Sequence, residues 1–191
     1  MQLDLDMRTG WPADLCLLLE RYPREVWLTH ANLGAHVGFW LQRHAMFREL
    51  AGMLVSGTAD IRAEITGVDQ FRTWFAPRLQ FLLSELDAHH RVEDHHYFPR
   101  FRAAEPRLLR GFEVLEQDHH AIHQSMAEVV DAANTFLRCE GEVEEAARRA
   151  AENFAVANDR MLRWLMRHLD DEEDLVVPLV LDRGEANIGF G

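Results

Sequence analysis

The sequence predicts an all-α protein, an antiparallel up-down-up-down four-helix bundle with a short N-terminal extension. Apolar residues recur at spacings of three and four along four long stretches, as in amphipathic helices. No segment keeps the two-residue alternation of a strand, and the links between the four stretches are short. The 191 residues are 48% hydrophobic and 27% charged, which suits one soluble domain with a substantial core.

Glycine and proline mark where the helices are expected to end. Residues 56–68, which include Gly57, are interpreted as the first connection, and Gly141 is expected to break the third helix. Pro99 and Pro178 come late in the second and fourth helices and are expected to kink or end them. The predicted helices cover approximately residues 31–55, 70–102, 107–139 and 143–181.

Three regions follow from these boundaries. Residues 31–181 form the predicted bundle, and residues 182–191 are interpreted as a loose C-terminal tail. Residues 1–30 precede the bundle as an extension. Their short apolar run, residues 15–19, is expected to pack as a small fifth helix across it.

The charge, the cysteine content and the lengths of the apolar runs argue against several classes of partner and site. The net charge is −12 and no basic stripe stands out, so nucleic acid is not an expected partner. Cys16 and Cys139 lack a CxxC neighbour, which argues against a disulfide framework or a thiolate zinc site. The N-terminus has no basic region, and no apolar run approaches 18 residues. We therefore expect a cytoplasmic protein that does not bind membranes.

A repeated His–Glu motif is the main indication of function. His89 is followed four residues later by Glu93, and His168 is followed four residues later by Glu172. Residues at this spacing share one face of a helix, and both pairs are in phase with the apolar stripe. Buried histidines and glutamates are costly unless their charge is compensated. Divalent cations would supply that compensation.

The other two helices add further imidazoles. His119 and His123 repeat the four-residue spacing on the third helix, and His44 lies inward on the first. His44 is preferred to His36, because it keeps phase with the surrounding apolar residues. Imidazole and carboxylate without thiolate favour iron, manganese or zinc over copper(I). Seven ligands suit two bridged ions better than one, and the candidate set is His44, His89, Glu93, His119, His123, His168 and Glu172.

Several neighbouring polar residues are interpreted differently. His90 and His120 lie one residue away from an inward position and are expected at the solvated surface or an interface. His96 is expected to face inward and to hydrogen-bond near the site rather than bind metal. The acidic run 170–174, apart from Glu172, is interpreted as a solvated face.

The motif set resembles the hemerythrin family and its HHE cation-binding relatives. His-x3-Glu occurs on two alternate helices with His-x3-His between them, and the resemblance covers about residues 31–180. In oxygen-carrying members the acid is often an Asp, one residue further from the histidine than Glu172 is from His168 in this chain. The wider cation-binding branch therefore matches better. The resemblance implies two iron ions, Fe2+ or Fe3+, with an oxo, hydroxo or water bridge and one coordination position open to dioxygen. It implies that His119, His123 and His168 bind one iron, that His44 and His89 bind the other, and that Glu93 and Glu172 bridge them.

Three functional hypotheses fit such a centre. The first is a non-enzymatic di-iron protein that binds dioxygen for carriage, storage or sensing. The second is a redox enzyme acting on peroxide or nitric oxide at the same centre. The third is an iron-handling or iron-sensing module in which metal binding folds the bundle. Manganese and zinc are possible substitutes for iron in each case.

Overall fold

The computed structural model describes residues 3–139 and 143–190, and these residues are predominantly helical with no strand. The all-α prediction is confirmed, whereas the up-down-up-down order of four helices stays a prediction. Gly141 lies outside the described residues. No described helix combines the length and apolar character needed to span a membrane. The α-helices are α1 Ala35–Arg62, α2 Val68–Val92, α3 Phe98–Ala104, α4 Leu109–Arg138, α5 Glu144–Arg183 and α6 Glu185–Ile188.

Helix α1 runs on to Arg62, so the connection expected over residues 56–68 is only residues 63–67. Gly57 lies inside the helix rather than ending it. A Cβ at Gly57 would lie 2.5 Å from the ring of Trp74. The glycine therefore allows the aromatic ring to approach the helix backbone closely, which explains its presence without a break.

A π-helical segment, Glu93–Tyr97, separates α2 from α3. The N–H of Phe98 donates to the carbonyl oxygen of Glu93, five residues back. The wider turn shifts the register by one residue, so Phe98 is fully buried and His96 is exposed. The prediction that His96 faces inward is wrong for this reason. Pro99 follows in the first turn of α3, where a missing N–H is tolerated.

The described residues divide into two compact units. The first takes in the chain up to Ala45, His89–His119 and the chain from Met166 onward. Its core includes Leu18 from the N-terminal extension, and also Phe112. The second takes in Met46–Ala88 and His120–Leu165. Its core contains a cluster of phenylalanine rings, in which the centroids of Phe75 and Phe154 lie 4.6 Å apart.

Both chain ends of the first unit differ from expectation. Residues 15–19 form turns rather than a helix, although Leu15 and Leu18 are buried, and the extension instead carries a 3₁₀ helix at Arg24–Thr29. The tail is not loose, because Ile188 and Phe190 are buried in the same core. Apolar side chains too few to form an amphipathic helix can still bury themselves against an existing core.

The C-terminal segment also caps α1. The Glu185 carboxylate accepts hydrogen bonds from the backbone N–H groups of His36 at 3.3 Å and Val37 at 2.7 Å. Amides in the first turn of a helix lack internal partners, so a carboxylate there stabilises the start of the helix. A Cβ at Gly34 would lie 2.1 Å from a Glu185 oxygen, so glycine leaves room for this cap. The His36 side chain is 56% exposed, which fits its place outside the candidate ligand set.

Candidate metal centre

Four histidines from α1, α2, α4 and α5 meet in the first unit as two pairs. The Nε2 atoms of His44 and His89 lie 3.0 Å apart, and those of His119 and His168 lie 3.1 Å apart. All four residues are buried. Two nitrogens bound at right angles to one ion, each about 2.1 Å from it, would be about 3.0 Å apart. Each pair therefore has the spacing of two neighbouring ligands of one ion.

The far side of the second pair faces carboxylates. His119 donates its Nδ1–H to Asp94 Oδ1 at 2.7 Å, and His168 Nδ1 lies 3.5 Å from Asp118 Oδ2. A carboxylate accepts hydrogen bonds, so these contacts favour the tautomer with hydrogen on Nδ1 and a lone pair on Nε2. Burial lowers the pKa of His168 to about 4, which keeps this imidazole neutral. The two Nε2 lone pairs then face each other, an arrangement that a shared cation would make favourable.

His44 is held in the same way by a residue expected at the surface. Its Nδ1–H donates to Glu173 Oε1 at 3.1 Å, and Glu173 is buried. Asp171 is also buried. The interpretation of residues 170–174 as a solvated face is therefore wrong for both of these acids, because the N-terminal extension covers this side of α5 with residues such as Arg8 and Arg24.

The carboxylates that hold the histidines are neighbours in sequence of the proposed ligands. Asp94 follows Glu93, Glu173 follows Glu172, and Asp118 precedes His119. One residue along a helix turns the side chain by about 100°, toward an adjacent helix rather than toward the centre. Acidic residues directly beside inward ligands were therefore a usable signal, although the sequence did not show which histidine each one would contact.

Glu93 reaches both pairs of histidines. Its Oε1 lies 2.8 Å from His89 Nε2, and its Oε2 lies 3.6 Å from His119 Nε2. Trp40 Nε1–H donates to Oε1 at 2.6 Å and holds the carboxylate in place. Burial alone would raise the pKa of Glu93, but His89 and His44 lower it well below its usual value.

Glu172 also lies close to one histidine of each pair. Its Oε2 lies 3.5 Å from His44 Nε2 and 3.6 Å from His168 Nε2. Burial, together with the nearby Glu93 carboxylate, raises the pKa of Glu172 well above its usual value. Both Glu172 oxygens are buried without a hydrogen-bond partner among the described residues. Such orphaned acceptors are costly in a protein core, and metal ions between the histidine pairs would satisfy them.

His90 is part of the same cluster. From the sequence it is expected at a solvated surface or an interface, and the solvated surface is wrong. It is fully buried, and its ring stacks on His119 with centroids 3.9 Å apart and planes 13° apart. The ring centroid of His168 lies 5.4 Å away. The ligand nitrogens of His90, His119 and His168 lie within 4.8 Å of one another. The second group of mutually close ligand atoms is His44, His89, Glu93 and Glu172.

Six of the seven candidate ligands thus fall into two compact groups, and the seventh, His123, belongs to neither. The His123 side chain is 38% exposed, and its Nδ1 lies 3.9 Å from Asp87 Oδ1 within the second unit. Its role as a ligand stays a prediction. His120 is exposed, as the sequence indicated.

Comparison with known proteins gives one family. The family model described as "Hemerythrin HHE cation binding domain" matches residues 35–180. No curated protein and no solved structure matched the chain. The matched range contains every candidate ligand and also Asp94, Asp118 and Glu173, but not the N-terminal extension.

Proposed function

The chain belongs to the hemerythrin HHE cation-binding family, and we propose that its buried centre holds two iron ions and binds dioxygen reversibly, for storage or sensing. Membership of this family implies metal-ion binding in a helical domain. The observation that carries the proposal is the pair of facing Nε2 contacts, His44 to His89 and His119 to His168. We further propose that the four long helices follow the up-down-up-down order.

The two groups of ligand atoms indicate how the ions would be shared. One ion would be bound by His119, His168 and a third imidazole, and the other by His44 and His89. Glu93 and Glu172 would bridge them, since each carboxylate approaches one histidine of each pair. The ion beside His44 and His89 would have one protein ligand fewer, and so one position open to a small ligand. Imidazole and carboxylate ligands suit iron, with manganese or zinc as substitutes.

The surrounding side chains would keep water away from this centre. The ring centroids of Trp40 and His44 lie 3.9 Å apart, and those of Phe98 and His119 lie 5.4 Å apart. An apolar cavity borders Trp40 and is lined also by Val176. When bound, a pair of ferrous ions supplies the electrons needed to bind dioxygen reversibly. A dry, apolar surrounding slows the competing irreversible oxidation of iron.

Iron loading and oxygen exposure test this function directly. Purified protein loaded anaerobically with Fe2+ should hold about two irons per chain. Air should then produce a visible charge-transfer band that disappears when oxygen is removed and returns on re-exposure. Zinc-loaded protein is the control and should show no band. Irreversible oxidation would exclude reversible dioxygen binding, and the absence of bound iron would exclude the centre itself.

Substitution of His90 and His123 identifies the third imidazole. We propose His90, because it lies in one group with His119 and His168. His90→Phe should therefore lower the iron content toward one per chain, whereas His123→Phe should leave it near two. Phenylalanine keeps an aromatic ring at each position, and the unfolding temperature of each metal-free variant controls for folding. The opposite result would assign the ligand to His123.

A further inference from the structure

We propose that the N-terminal extension positions the metal centre through two arginines, Arg8 and Arg24. Each arginine binds a carboxylate that in turn contacts the outer nitrogen of a metal-site histidine. Both lie outside residues 35–180, the part of the chain that the family model matches. This inference rests on the proposed function and adds residues that orient the histidines without touching the metal.

Arg24 lies in the 3₁₀ helix of the N-terminal extension. Arg24 donates from Nη1 to Glu173 Oε2 at 3.0 Å, from Nε to Asp174 Oδ1 at 2.8 Å, and from Nη2 to the Asp170 carbonyl oxygen at 2.9 Å. The other oxygen of Glu173 accepts from His44 Nδ1 at 3.1 Å. Glu173 is therefore held between the guanidinium and the imidazole.

Arg8 contacts carboxylates in a similar way, but it lies deeper in the protein than Arg24. The Arg8 side chain is fully buried and donates to both oxygens of Asp118, at 3.2 Å to Oδ1 and by a short contact to Oδ2. Its Nε donates to Asp171 Oδ2 at 2.6 Å. Asp118 Oδ2 lies 3.5 Å from His168 Nδ1. Each pair of site histidines thus has one member connected to the extension through a single carboxylate.

Such contacts fix the geometry of a ligand. Arg8 donates to Asp118 from two nitrogens, which limits the rotation of that carboxylate. Arg24 donates to Glu173 from one nitrogen, and its bonds to Asp174 and to the Asp170 carbonyl oxygen fix the guanidinium that makes this contact. A carboxylate held in this way fixes the ring orientation and tautomer of the histidine it contacts. Loss of a partner that orients a metal-binding histidine typically lowers metal affinity about 10–100-fold. The extension would therefore slow metal release without touching the metal.

Charge and positioning predict opposite effects for loss of Arg24. Removing a positive charge near the centre should by itself strengthen cation binding. Losing the positioning of Glu173 and His44 should weaken it. The sign of the change therefore separates an orienting role from a simple electrostatic one.

Release of Fe2+ from the anaerobically loaded full-length chain to a coloured chelator provides the measurement. Arg24→Met should release iron about 10-fold faster than the wild type. The matched control is Arg21→Met in the same segment. Arg21 donates to Asp182 Oδ1 at 2.8 Å, and this carboxylate lies near Tyr22 rather than at a site histidine. Arg21→Met should release iron at the wild-type rate.

Three more variants distinguish positioning from lost stability. Glu173→Gln should also speed release, and the double variant Arg24→Met/Glu173→Gln should be no faster than Glu173→Gln alone. Arg24→Lys keeps the charge but not the forked geometry, so it too should release iron faster than the wild type. Unchanged or slower release from Arg24→Met and Arg24→Lys would overturn the proposed role of the extension and leave the proposed function standing. A wild type that binds no iron would overturn the proposed function together with it.

Discussion

Replacing Glu172 with methionine should stabilise the metal-free protein and remove most of the stability that iron adds to the wild type. Both Glu172 oxygens are buried without a hydrogen-bond partner among the described residues, and the Glu93 carboxylate lies close. An apolar side chain of similar length removes that penalty, so we expect a gain of about 1–3 kcal/mol in the metal-free state. The same change removes a proposed bridging ligand.

Thermal unfolding with and without Fe2+ under anaerobic conditions measures both effects. If iron is present at roughly 1,000 times its dissociation constant, it adds about 4 kcal/mol, or about 10 °C, to the wild type. Glu172→Met should start at a higher temperature than the metal-free wild type and gain much less on loading. The exposed Glu113, changed to methionine, should behave as the wild type does in both states. A Glu172→Met protein that is less stable without metal and still gains fully with iron would contradict the bridging role.

Replacing His119 with leucine should reduce the iron content to one ion per chain or fewer. His119 contributes one nitrogen of the second pair, and Glu93 Oε2 lies 3.6 Å from that nitrogen. Its removal leaves His168 without the neighbouring imidazole nitrogen 3.1 Å away. We expect a loss of at least about 100-fold in affinity for the more weakly held ion, which corresponds to about 2.7 kcal/mol.

Metal analysis after gel filtration gives the content, and competition with a chelator gives the affinity. His120→Leu is the matched control, because His120 is the next residue on α4 and is exposed. It should retain the wild-type content of iron. Equal iron contents in His119→Leu and the wild type would remove His119 from the proposed ligand set.

Much of the candidate centre could be predicted because helix periodicity determines which residues share a face. His89 and Glu93 are four residues apart and both are buried, as are His168 and Glu172. The repeat of this spacing made an accidental match improbable, and His44 follows from its phase on α1. The same reasoning placed His123 inward; its Nε2 atom is buried, but the side chain as a whole is 38% exposed, and its role as a ligand stays a prediction. Periodicity predicts a direction, but not whether the neighbouring chain is close enough to bury the side chain there.

Other features depended on contacts that no local pattern encodes. The π-helical turn at Glu93–Tyr97 moved Phe98 inward and His96 outward, since one extra residue in a turn changes every later position. His90 was buried by the rings of His119 and His168, which lie on other helices. A residue off the inward position of an isolated helix can still face a neighbouring helix when several pack together.

By itself, the sequence determined the helical class, the family and six buried candidate ligands, because all three follow from the spacing of residues within single helices. Only the tertiary structure decided which carboxylate holds each histidine, why His90 is buried and where the N-terminal extension lies. Arg8 and Asp171 are 163 residues apart in the chain but hydrogen-bonded at 2.6 Å. Contacts of that kind depend on how separate segments pack, which the spacing within one helix does not specify.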